Sequence, residues 1–191
     1  MQINILLMRK LTMDELNRKS VEEFKESDKN SIIAVLENIR SAYNVGSVFR
    51  TADAFLIESV YITGYTAKPP HKEITKTALG AQDSVNWQYF ETTKKAIETL
   101  KKAGYKIYAV EQVLDSILLQ DIDQLSASKM AFIFGNEVKG VEQEIISLCD
   151  GCVEIPQFGM KHSLNISVAA GIVLWEAVNV LALKDEVKNK I

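Results

Sequence analysis

Short apolar runs alternate with amphipathic segments along most of this 191-residue chain. Runs of strand length predict strands at residues 32–36, 59–62, 85–89, 106–110, 130–134 and 152–155. Apolar residues at helical spacing predict helices at residues 45–55, 93–103, 141–148 and 163–181. Because strands that alternate with helices at this spacing form βαβ units, the pattern predicts an α/β fold in which helices flank a parallel sheet.

The first 30 residues differ from the rest because Lys, Glu, Asp, Asn and Ser dominate them. Their apolar residues recur at roughly helical spacing, at Leu11, Met13, Leu16, Val21 and Phe24. This spacing predicts one or two short amphipathic helices. We therefore divide the chain into an N-terminal extension (1–30) and one core domain (31–191).

The last predicted helix is apolar on nearly every side through Leu181. Such a helix is expected to be buried all round. Small residues at 169–171 allow another backbone to approach closely. Ser163 and Asn165 precede the apolar part, so they should lie at the edge of a packed interior, where polar groups need partners. Taken alone, the pair is also explained if Ser163 caps the helix and Asn165 bonds a neighbouring backbone group.

The chain has 22 Lys and Arg and 25 Asp and Glu, which gives a net charge of −3. This balance excludes a protein with a global positive field. A binding site for RNA must then be a local patch. No apolar run approaches the roughly 18 residues that span a bilayer, and residues 1–10 lack a basic segment followed by a cleavage site. We expect a cytoplasmic protein that does not bind membranes.

The two cysteines, Cys149 and Cys152, form a C-x-x-C pair. A structural zinc site needs a second Cys or Cys/His pair at metal spacing, so no metal is predicted. Redox dithiols lie where a strand enters a helix, whereas this pair lies where a helix leads to a strand. The favoured interpretation is two small, semi-buried residues without chemistry, with a redox pair as the alternative.

The segment 38–52 leaves a predicted strand and enters a helix that Asn44 can cap. Arg50 lies about one and a half turns into that helix, among apolar residues. Arginine offers a rigid fork of donors that suits phosphate. The alternative for Arg50 is a surface arginine without a ligand.

The segment 135–140 connects a predicted strand to a helix and has the G-x-x-x-x-G spacing of a phosphate loop. Val141 and Glu142 stand where such a loop needs Lys and Ser or Thr, which disfavours a nucleoside triphosphate site. A G-x-G-x-x-G motif is absent from the sequence, which argues against a dinucleotide site. A backbone-rich loop with one carboxylate, Glu137, remains; a plain turn is the alternative.

Together these stretches resemble, in order and separation, the three motifs of the SpoU or TrmH family of RNA ribose methyltransferases in the SPOUT superfamily. Residues 38–52 are similar to N-x-R-x-x-x-N-x-G-x-x-x-R-T-A, and residues 132–140 to a hydrophobic strand followed by G-x-E-x-x-G. Residues 155–169 are similar to I-P-x-x-G-x-x-x-S-L-N-x-S-V-A. Lys-Thr-Ala-Leu-Gly-Ala at 76–81 also resembles the family, and the likeness spans roughly residues 30–180.

The resemblance implies a parallel sheet with a deep C-terminal trefoil knot, a homodimer and the cofactor S-adenosylmethionine. In this family the knot forms the cofactor pocket, so Gly135, Ile155 and Leu164 are expected to contact the cofactor, largely through backbone groups. The implied reaction is methyl transfer to a ribose 2′-hydroxyl of structured RNA. The chain is small and shows no separate RNA-binding domain, which favours tRNA over rRNA.

The resemblance also assigns a catalytic set, in which Arg50 is central and Asn44, Glu137, Ser163 and Asn165 complete the constellation. A guanidinium is always protonated in proteins, so Arg50 is unsuited to act as a general base. We interpret it as a clamp on the phosphate beside the target ribose. Asn44, Ser163 and Asn165 would orient ribose and cofactor, and Glu137 would fix Arg50 or contact the opposite subunit.

RNA contacts are predicted in two loops that carry basic side chains: Lys68, His71 and Lys72 in one, Lys161 and His162 in the other. Pro69-Pro70 predict that the loop 64–72 is extended and does not join a helix. A solvated basic pair is the alternative for Lys161 and His162. Gln157 stands where many relatives have Met. Two other functions remain open: a catalytically silent RNA-binding dimer on the same fold, and a base-methylating SPOUT enzyme.

Overall fold

The computed structural model describes residues 9–12, 14–125 and 127–183. Its strands are β1 (Asn30–Glu37), β2 (Ile57–Thr63), β3 (Trp87–Phe90), β4 (Lys106–Val110), β5 (Ile117–Leu118), β6 (Met130–Phe134) and β7 (Gly151–Glu154). They form one sheet in the order β3-β2-β1-β6-β4-β7-β5, and every pair of neighbours is parallel. The predicted parallel α/β fold is therefore confirmed.

The helices are α1 (Val21–Glu26), α2 (Ala42–Ala54), α3 (Lys72–Ala78), α4 (Ala81–Ser84), α5 (Thr93–Lys102), α6 (Gln143–Ile146) and α7 (Ile166–Val178). Two 3-10 helices (Asp14–Leu16 and Leu119–Gln124) and a π-helical turn (Asn179–Leu183) complete the described elements. The prediction of a helix at 141–148 is too long. Glu142 is extended, because its N–H donates to the buried Glu37 carboxylate at 3.2 Å, so α6 starts after it.

The prediction of short helices in the N-terminal extension is confirmed in part. Ser20 caps α1 with a capping box to Glu23, and Phe24 is buried against the core. Leu11, Leu16 and Val21 are exposed, so the helical spacing there does not mark a buried face. Met13 and residues 1–8 lie outside the described residues.

The sheet is covered on both faces, as its continuous apolar runs require. Alternate residues of β1 enter two cores. Ile32, Ala34 and Leu36 pack with α2 and α7, and Ile33 and Val35 pack against α5 and α6. The functional stretches that follow β1 and β6 therefore start from the most buried part of the molecule.

The prediction that α7 is buried all round is wrong. Ala170, Val173 and Ala177 are buried, but Val168, Ile172 and Trp175 are 50%, 39% and 50% exposed. The exposed positions recur at helical spacing, so they form one continuous apolar face. The opposite face packs on α2 and β1. Within the described chain the outer face is only partly covered, with Phe55 beside Trp175. A Cβ at Gly171 would meet open space, so the close approach predicted at 169–171 is not made at this glycine.

The segment 64–71 contains a turn at 64–65, with Gly64 at a φ of 61°, and bends at the two prolines, so the prediction that it is extended is wrong. The prediction that it does not join a helix is wrong at its end, because Lys72 begins α3 directly. The His71 Nδ1 accepts a hydrogen bond from the Glu73 N–H at 3.3 Å and caps the helix. The two prolines precede the helix, where a missing N–H does no harm.

Both cysteines are free, Cys149 half-buried and Cys152 buried, as the favoured interpretation predicts. Burial, together with the neighbouring Cys152, raises the pKa of the Cys149 thiol to about 12. Thiolate chemistry is disfavoured at such a site. Among the described residues no helix is long and apolar enough to cross a membrane.

Candidate active site

A pocket of about 520 Å³ opens at the carboxyl ends of β6, β4 and β7. Its walls are the segments that follow these strands, namely residues 110–113, 134–141 and parts of 155–169. The three strands are neighbours and parallel, so their carboxyl ends meet at one edge of the sheet. Ligands of open α/β sheets bind at such an edge.

The three residues predicted to hold the cofactor, Gly135, Ile155 and Leu164, all line this pocket. Gly135 directly follows β6, at a position where the loop has no room for a side chain. A Cβ there would lie 2.2 Å from the backbone nitrogen of Val141, so only glycine allows the loop to close. The walls come largely from loops, which present backbone N–H and C=O groups to a ligand.

The loop 135–140 is closed by its own second residue, Asn136. Asn136 and Gly140 exchange two backbone hydrogen bonds of 3.0 and 2.9 Å, and the Asn136 Oδ1 accepts from the N–H groups of Val138 and Lys139. The Asn136 Nδ2 donates to the carbonyl of Asn38 and to the hydroxyl of Tyr65, both at 2.8 Å. This loop is therefore more than a turn, because it joins the loops after β1 and β2.

The Glu137 carboxylate faces the start of α2. It accepts hydrogen bonds from the N–H groups of Arg40 (2.9 Å) and Ser41 (3.1 Å) and from the Asn44 Nδ2 (3.1 Å). Partial burial acts to raise the pKa of Glu137, but these donors outweigh it and lower the pKa below its ordinary value. An ionised carboxylate at a helix N-terminus is also favoured by the helix dipole.

Asn44 and Asn165 connect this carboxylate to the third stretch. The Asn165 Nδ2 donates to the Asn44 Oδ1 at 3.2 Å, and the Asn165 Oδ1 accepts from the Ser167 N–H at 2.9 Å. The structure thus brings Asn44, Glu137 and Asn165 together, one from each sequence stretch. We call these three residues the polar cluster.

The predicted cap of α2 by Asn44 is wrong. The alternative in which Ser163 caps α7 is also wrong, but Asn165 does bond a neighbouring backbone group. Ser41 caps α2 through its Oγ, which accepts from the Asn44 N–H at 3.3 Å, and Asn44 lies in the first turn instead. Asn165, and not Ser163, caps α7. Ser163 precedes the helix, is exposed and lines the pocket. Asn44 therefore joins the polar cluster without serving as a cap, whereas Asn165 caps α7 with its Oδ1 and reaches Asn44 with its Nδ2.

Arg50 does not join it. Arg50 lies six positions after Asn44, which places it about 9 Å further along α2 and on another side of the helix. It is exposed and borders a second cavity of about 560 Å³, together with Phe55, Lys76 and Gly171. Within the described residues the Arg50 side chain has no hydrogen bond or ion pair. Of the two roles predicted for Glu137, a contact with Arg50 is therefore not made within one chain.

Comparison with known proteins decides the family. The model of the SpoU rRNA Methylase family matches residues 31–175. The chain belongs to this family. It is 31% identical, over 163 residues, to a Thermus thermophilus tRNA (guanosine(18)-2′-O)-methyltransferase, covering 85% of this chain and 82% of that protein.

Solved structures agree with this assignment. The Aquifex aeolicus TrmH/SpoU tRNA modifying enzyme matches with a TM-score of 0.76 and 26% identity, covering 86% of this chain and 82% of that one. An AdoMet-bound rRNA methyltransferase from Sinorhizobium meliloti matches with a TM-score of 0.72 and 27% identity, over 78% of this chain and 56% of that one. The SpoU domain is thus about half of the second protein.

The five basic residues predicted to contact RNA are all exposed in this SpoU chain: Lys68, His71, Lys72, Lys161 and His162. The Lys68 Nζ lies 3.8 Å from the ring centroid of Tyr89. His162 borders the pocket, and its carbonyl accepts from the Gln112 Nε2 at 3.4 Å. Both basic loops are therefore tied to the site, one through Tyr65 and Asn136 and the other directly.

The sequence analysis did not identify two site residues of the SpoU chain, Asn136 and Glu111. Glu111 follows β4 and lines the pocket. A carboxylate placed directly after a buried parallel strand could have been recognised, because such positions face ligands. An Asn inside a tight glycine loop is a further signal, since Asn readily bonds its own backbone.

Proposed function

We propose that the protein transfers a methyl group from S-adenosylmethionine to a ribose 2′-hydroxyl in structured RNA, with tRNA favoured over rRNA. The observation that carries this proposal is the polar cluster at the edge of the pocket that Gly135, Ile155 and Leu164 line. The names of relatives support both RNA classes, since one is a tRNA 2′-O-methyltransferase and another an rRNA methyltransferase.

The pocket fits the cofactor in size and in the chemistry of its walls. Small-molecule sites commonly measure about 300–1,000 Å³, and this pocket lies within that range. S-adenosylmethionine supplies an activated methyl group. Backbone groups of Gly135, Ile155 and Leu164 hold it, and Ser163 and Asn165 stand where the pocket meets the polar cluster.

The main task of the site residues is to orient the ribose. Good alignment of two reacting groups can supply roughly 7–11 kcal/mol. Asn44 and Asn165 are fixed by each other and by Glu137, so their positions are set before the substrate arrives. Ser163 adds an exposed hydroxyl for the ribose. The lowered pKa of Glu137 keeps its carboxylate ionised and the start of α2 in place.

Arg50 acts on the substrate of a second copy in this proposal. Two copies pair through the exposed face of α7, formed by Val168, Ile172 and Trp175. An apolar face of this kind marks an interface, and a symmetric pair covers both faces at once. Arg50 shares its cavity with Gly171 of α7 and with Phe55, whose ring lies 5.6 Å from that of Trp175. It is thus at the edge of the pairing face, placed to clamp a phosphate at the partner's pocket.

The deep C-terminal knot belongs to the same proposal. Its support is the strand order, in which β7 lies between β4 and β5. To reach β5, the chain that leaves β4 must cross the carboxyl end of β7. The chain that leaves β7 at Ile155 must then pass this crossing before it forms α7. α7 also contacts the 3-10 helix Leu119–Gln124 that follows the crossing.

The remaining assignments stay predictions. Lys68, His71, Lys72, Lys161 and His162 bind the RNA backbone, and their exposure supports that role. The division at residue 31 coincides with the start of the family match. A cytoplasmic location remains a prediction of the sequence alone.

The test is transfer of labelled methyl from S-adenosylmethionine to unmodified tRNA and rRNA, followed by mass spectrometry of the nucleosides. A 2′-O-methylated nucleoside is expected, and Arg50→Ala should lower its formation by about 100- to 1,000-fold, as loss of preorganised charge does. Lys94→Ala, at an exposed position on α5, is the matched control and should leave the rate unchanged.

Two outcomes contradict the proposal. Methyl found on a base would mean a base-methylating enzyme. RNA binding without methyl transfer, and without cofactor binding, would mean a catalytically silent binding protein. Arg50→Lys with full turnover would remove the phosphate clamp from the mechanism, because lysine lacks the two-pronged geometry of arginine.

A further inference from the structure

Glu111 occupies the central position of the cofactor pocket. It follows β4, the middle of the three strands whose carboxyl ends form the pocket, and its N–H donates to the Val153 carbonyl of β7 at 3.2 Å. The loop from β6 therefore lies on one side and the segment from β7 on the other. The side chain borders the pocket itself.

The carboxylate is held in place by backbone donors. Its Oε2 accepts from the Val141 N–H at 3.1 Å, and its Oε1 accepts from the Gln112 N–H at 3.0 Å. Gly140 allows this approach, because a Cβ there would lie 2.1 Å from the Glu111 Oε2. The loop of the second motif thus closes against a fixed carboxylate.

Each Glu111 oxygen keeps acceptor capacity after these two bonds. A carboxylate has about four lone-pair sites, and among the described residues two of those on Glu111 have a partner. Glu137, the other carboxylate on the pocket wall, already accepts three hydrogen bonds. Of the two carboxylates on the pocket wall, Glu111 is therefore the one better placed to accept from a ligand.

A pair of neighbouring hydroxyl groups matches this acceptor best. The two oxygens of a carboxylate can receive two parallel hydrogen bonds, and the ribose of an adenosine ligand presents two adjacent hydroxyls. The same solution occurs in dinucleotide-binding folds, where an acidic residue after a strand binds the ribose.

We propose that Glu111 recognises the ribose hydroxyls of the cofactor and so sets the specificity of the pocket for ribonucleoside ligands. This inference rests on the assignment of the pocket to S-adenosylmethionine. It does not depend on which RNA is methylated.

The test is calorimetric binding of S-adenosylhomocysteine, 5′-methylthioadenosine and the 2′-deoxy and 3′-deoxy analogues of each. Wild-type protein should bind each deoxy analogue about 10- to 100-fold more weakly than its parent, as expected for loss of a hydrogen bond to a charged group. Glu111→Gln should weaken the parent ligands by a similar factor, and its affinities for parent and deoxy ligands should differ little. 5′-Methylthioadenosine should show the same pattern, because it lacks the amino-acid tail whose ammonium is the other candidate partner.

Glu144→Gln is the matched control, since it removes the same charge from an exposed position on α6 outside the pocket walls. It should bind every ligand as wild type does. Glu111→Asp gives a second variant that keeps the charge but shortens the reach, and it should also lose the discrimination against deoxy ligands. Thermal unfolding of each variant checks that the fold persists.

Specific outcomes overturn the inference. If Glu111→Gln weakens parent and deoxy ligands by equal factors, Glu111 only supports the loop. If it weakens S-adenosylhomocysteine but not 5′-methylthioadenosine, the partner is the tail ammonium. Unchanged affinity would exclude any role in binding. If wild type binds neither parent ligand, the cofactor assignment itself fails, which is distinct from all three.

Discussion

The two sides of helix α2 differ in how many of their contacts a single chain supplies. At its N-terminal end Asn44 is bound to Glu137 and Asn165, and the surrounding N–H groups are satisfied. Further along, Arg50 is exposed and unpaired in the described chain, beside a cavity that Gly171 of α7 also borders. In the proposed mechanism the first side is preorganised for a ribose and a cofactor. The second lies next to an apolar face that a second copy would cover.

This difference separates two kinds of functional residue. In the proposed dimer, residues of the polar cluster act inside the chain that carries them, and their geometry depends on local hydrogen bonds. Arg50 would depend on assembly, because its side chain has no hydrogen bond or ion pair within the described residues of one chain. Substitutions on the two sides should therefore fail in different ways.

Within the polar cluster, the largest effect is expected at Glu137. Glu137→Gln replaces a charged acceptor of three hydrogen bonds by an amide that cannot accept all three, so Asn44 and the start of α2 should shift. A misplacement of about 1 Å can lower a rate by about 100-fold, and we expect a loss of that size in kcat. Steady-state methyl transfer measures it, with Glu144→Gln as the charge-matched control. Dimer formation should be unaffected; a weakened dimer with normal turnover would break the distinction between the two sides.

A smaller effect, on assembly, is expected at Trp175. Its side chain is 50% exposed on α7, and large aromatic residues dominate interface energies. Trp175→Ala should weaken dimerisation by about 2 kcal/mol, roughly 30-fold, as measured by sedimentation equilibrium. Leu114→Ala removes an apolar side chain that is 95% exposed in the loop after β4, away from α7, and should have no effect. Equal dissociation constants for both variants and wild type would exclude this face as the interface.

Glu37 offers a contrast with Glu137 at the same edge of the sheet. It is 1% exposed, and burial raises its pKa from 4.5 to about 7, despite the Glu142 N–H that donates to it. Between these pH values the folded protein keeps a proton that the unfolded chain releases. The stability that neutral Glu37 contributes is therefore complete below about pH 4.5 and is lost as the pH rises through 7.

Glu37→Gln removes the titrating carboxyl group and, with it, the loss of stability at high pH. At about pH 8 the variant should be more stable than wild type by on the order of 2 kcal/mol, and the difference should vanish near pH 4.5. Urea unfolding across this range provides the measurement. A difference that does not change with pH would show that Glu37 does not titrate on unfolding.

The smallest effect is expected at Tyr65. Its hydroxyl accepts a hydrogen bond from the Asn136 Nδ2 at 2.8 Å and ties the basic loop 64–71 to the second motif. Tyr65→Phe should raise the KM for RNA by about fivefold with little change in kcat, in keeping with one neutral hydrogen bond. Tyr43→Phe is the control, because the Tyr43 hydroxyl has no hydrogen-bond partner within the described chain. A change in kcat alone would place Tyr65 in catalysis and not in RNA binding.

Much of the fold could be predicted because it rests on local patterns. The runs at 106–110 and 130–134 are apolar on both faces of the sheet and match β4 and β6 residue for residue. The order of the three motifs also predicted that Asn44, Glu137 and Asn165 would meet. β5 has only two residues, which is too short for a periodicity to reveal.

The misses share a physical cause, which is that they depend on contacts between distant segments. An apolar helix such as α7 indicates that its faces are covered, but not whether the same chain covers them. Several residues near Ser41 and Ser163 are good caps, and only the backbone geometry chooses among them. Glu111 becomes a site residue only because β4 lies between β6 and β7.

The most direct test of the central claim uses mixed dimers. Arg50→Ala and Asn165→Ala are each expected to be inactive alone, and the two are mixed in equal amounts under conditions that allow subunits to exchange. If Arg50 serves the pocket of its partner, each mixed dimer contains one intact site, and activity should return to about a quarter of the wild-type rate. If both residues serve one chain, every site in the mixture is defective. A mixture as inactive as its components, with exchange demonstrated, would contradict the account.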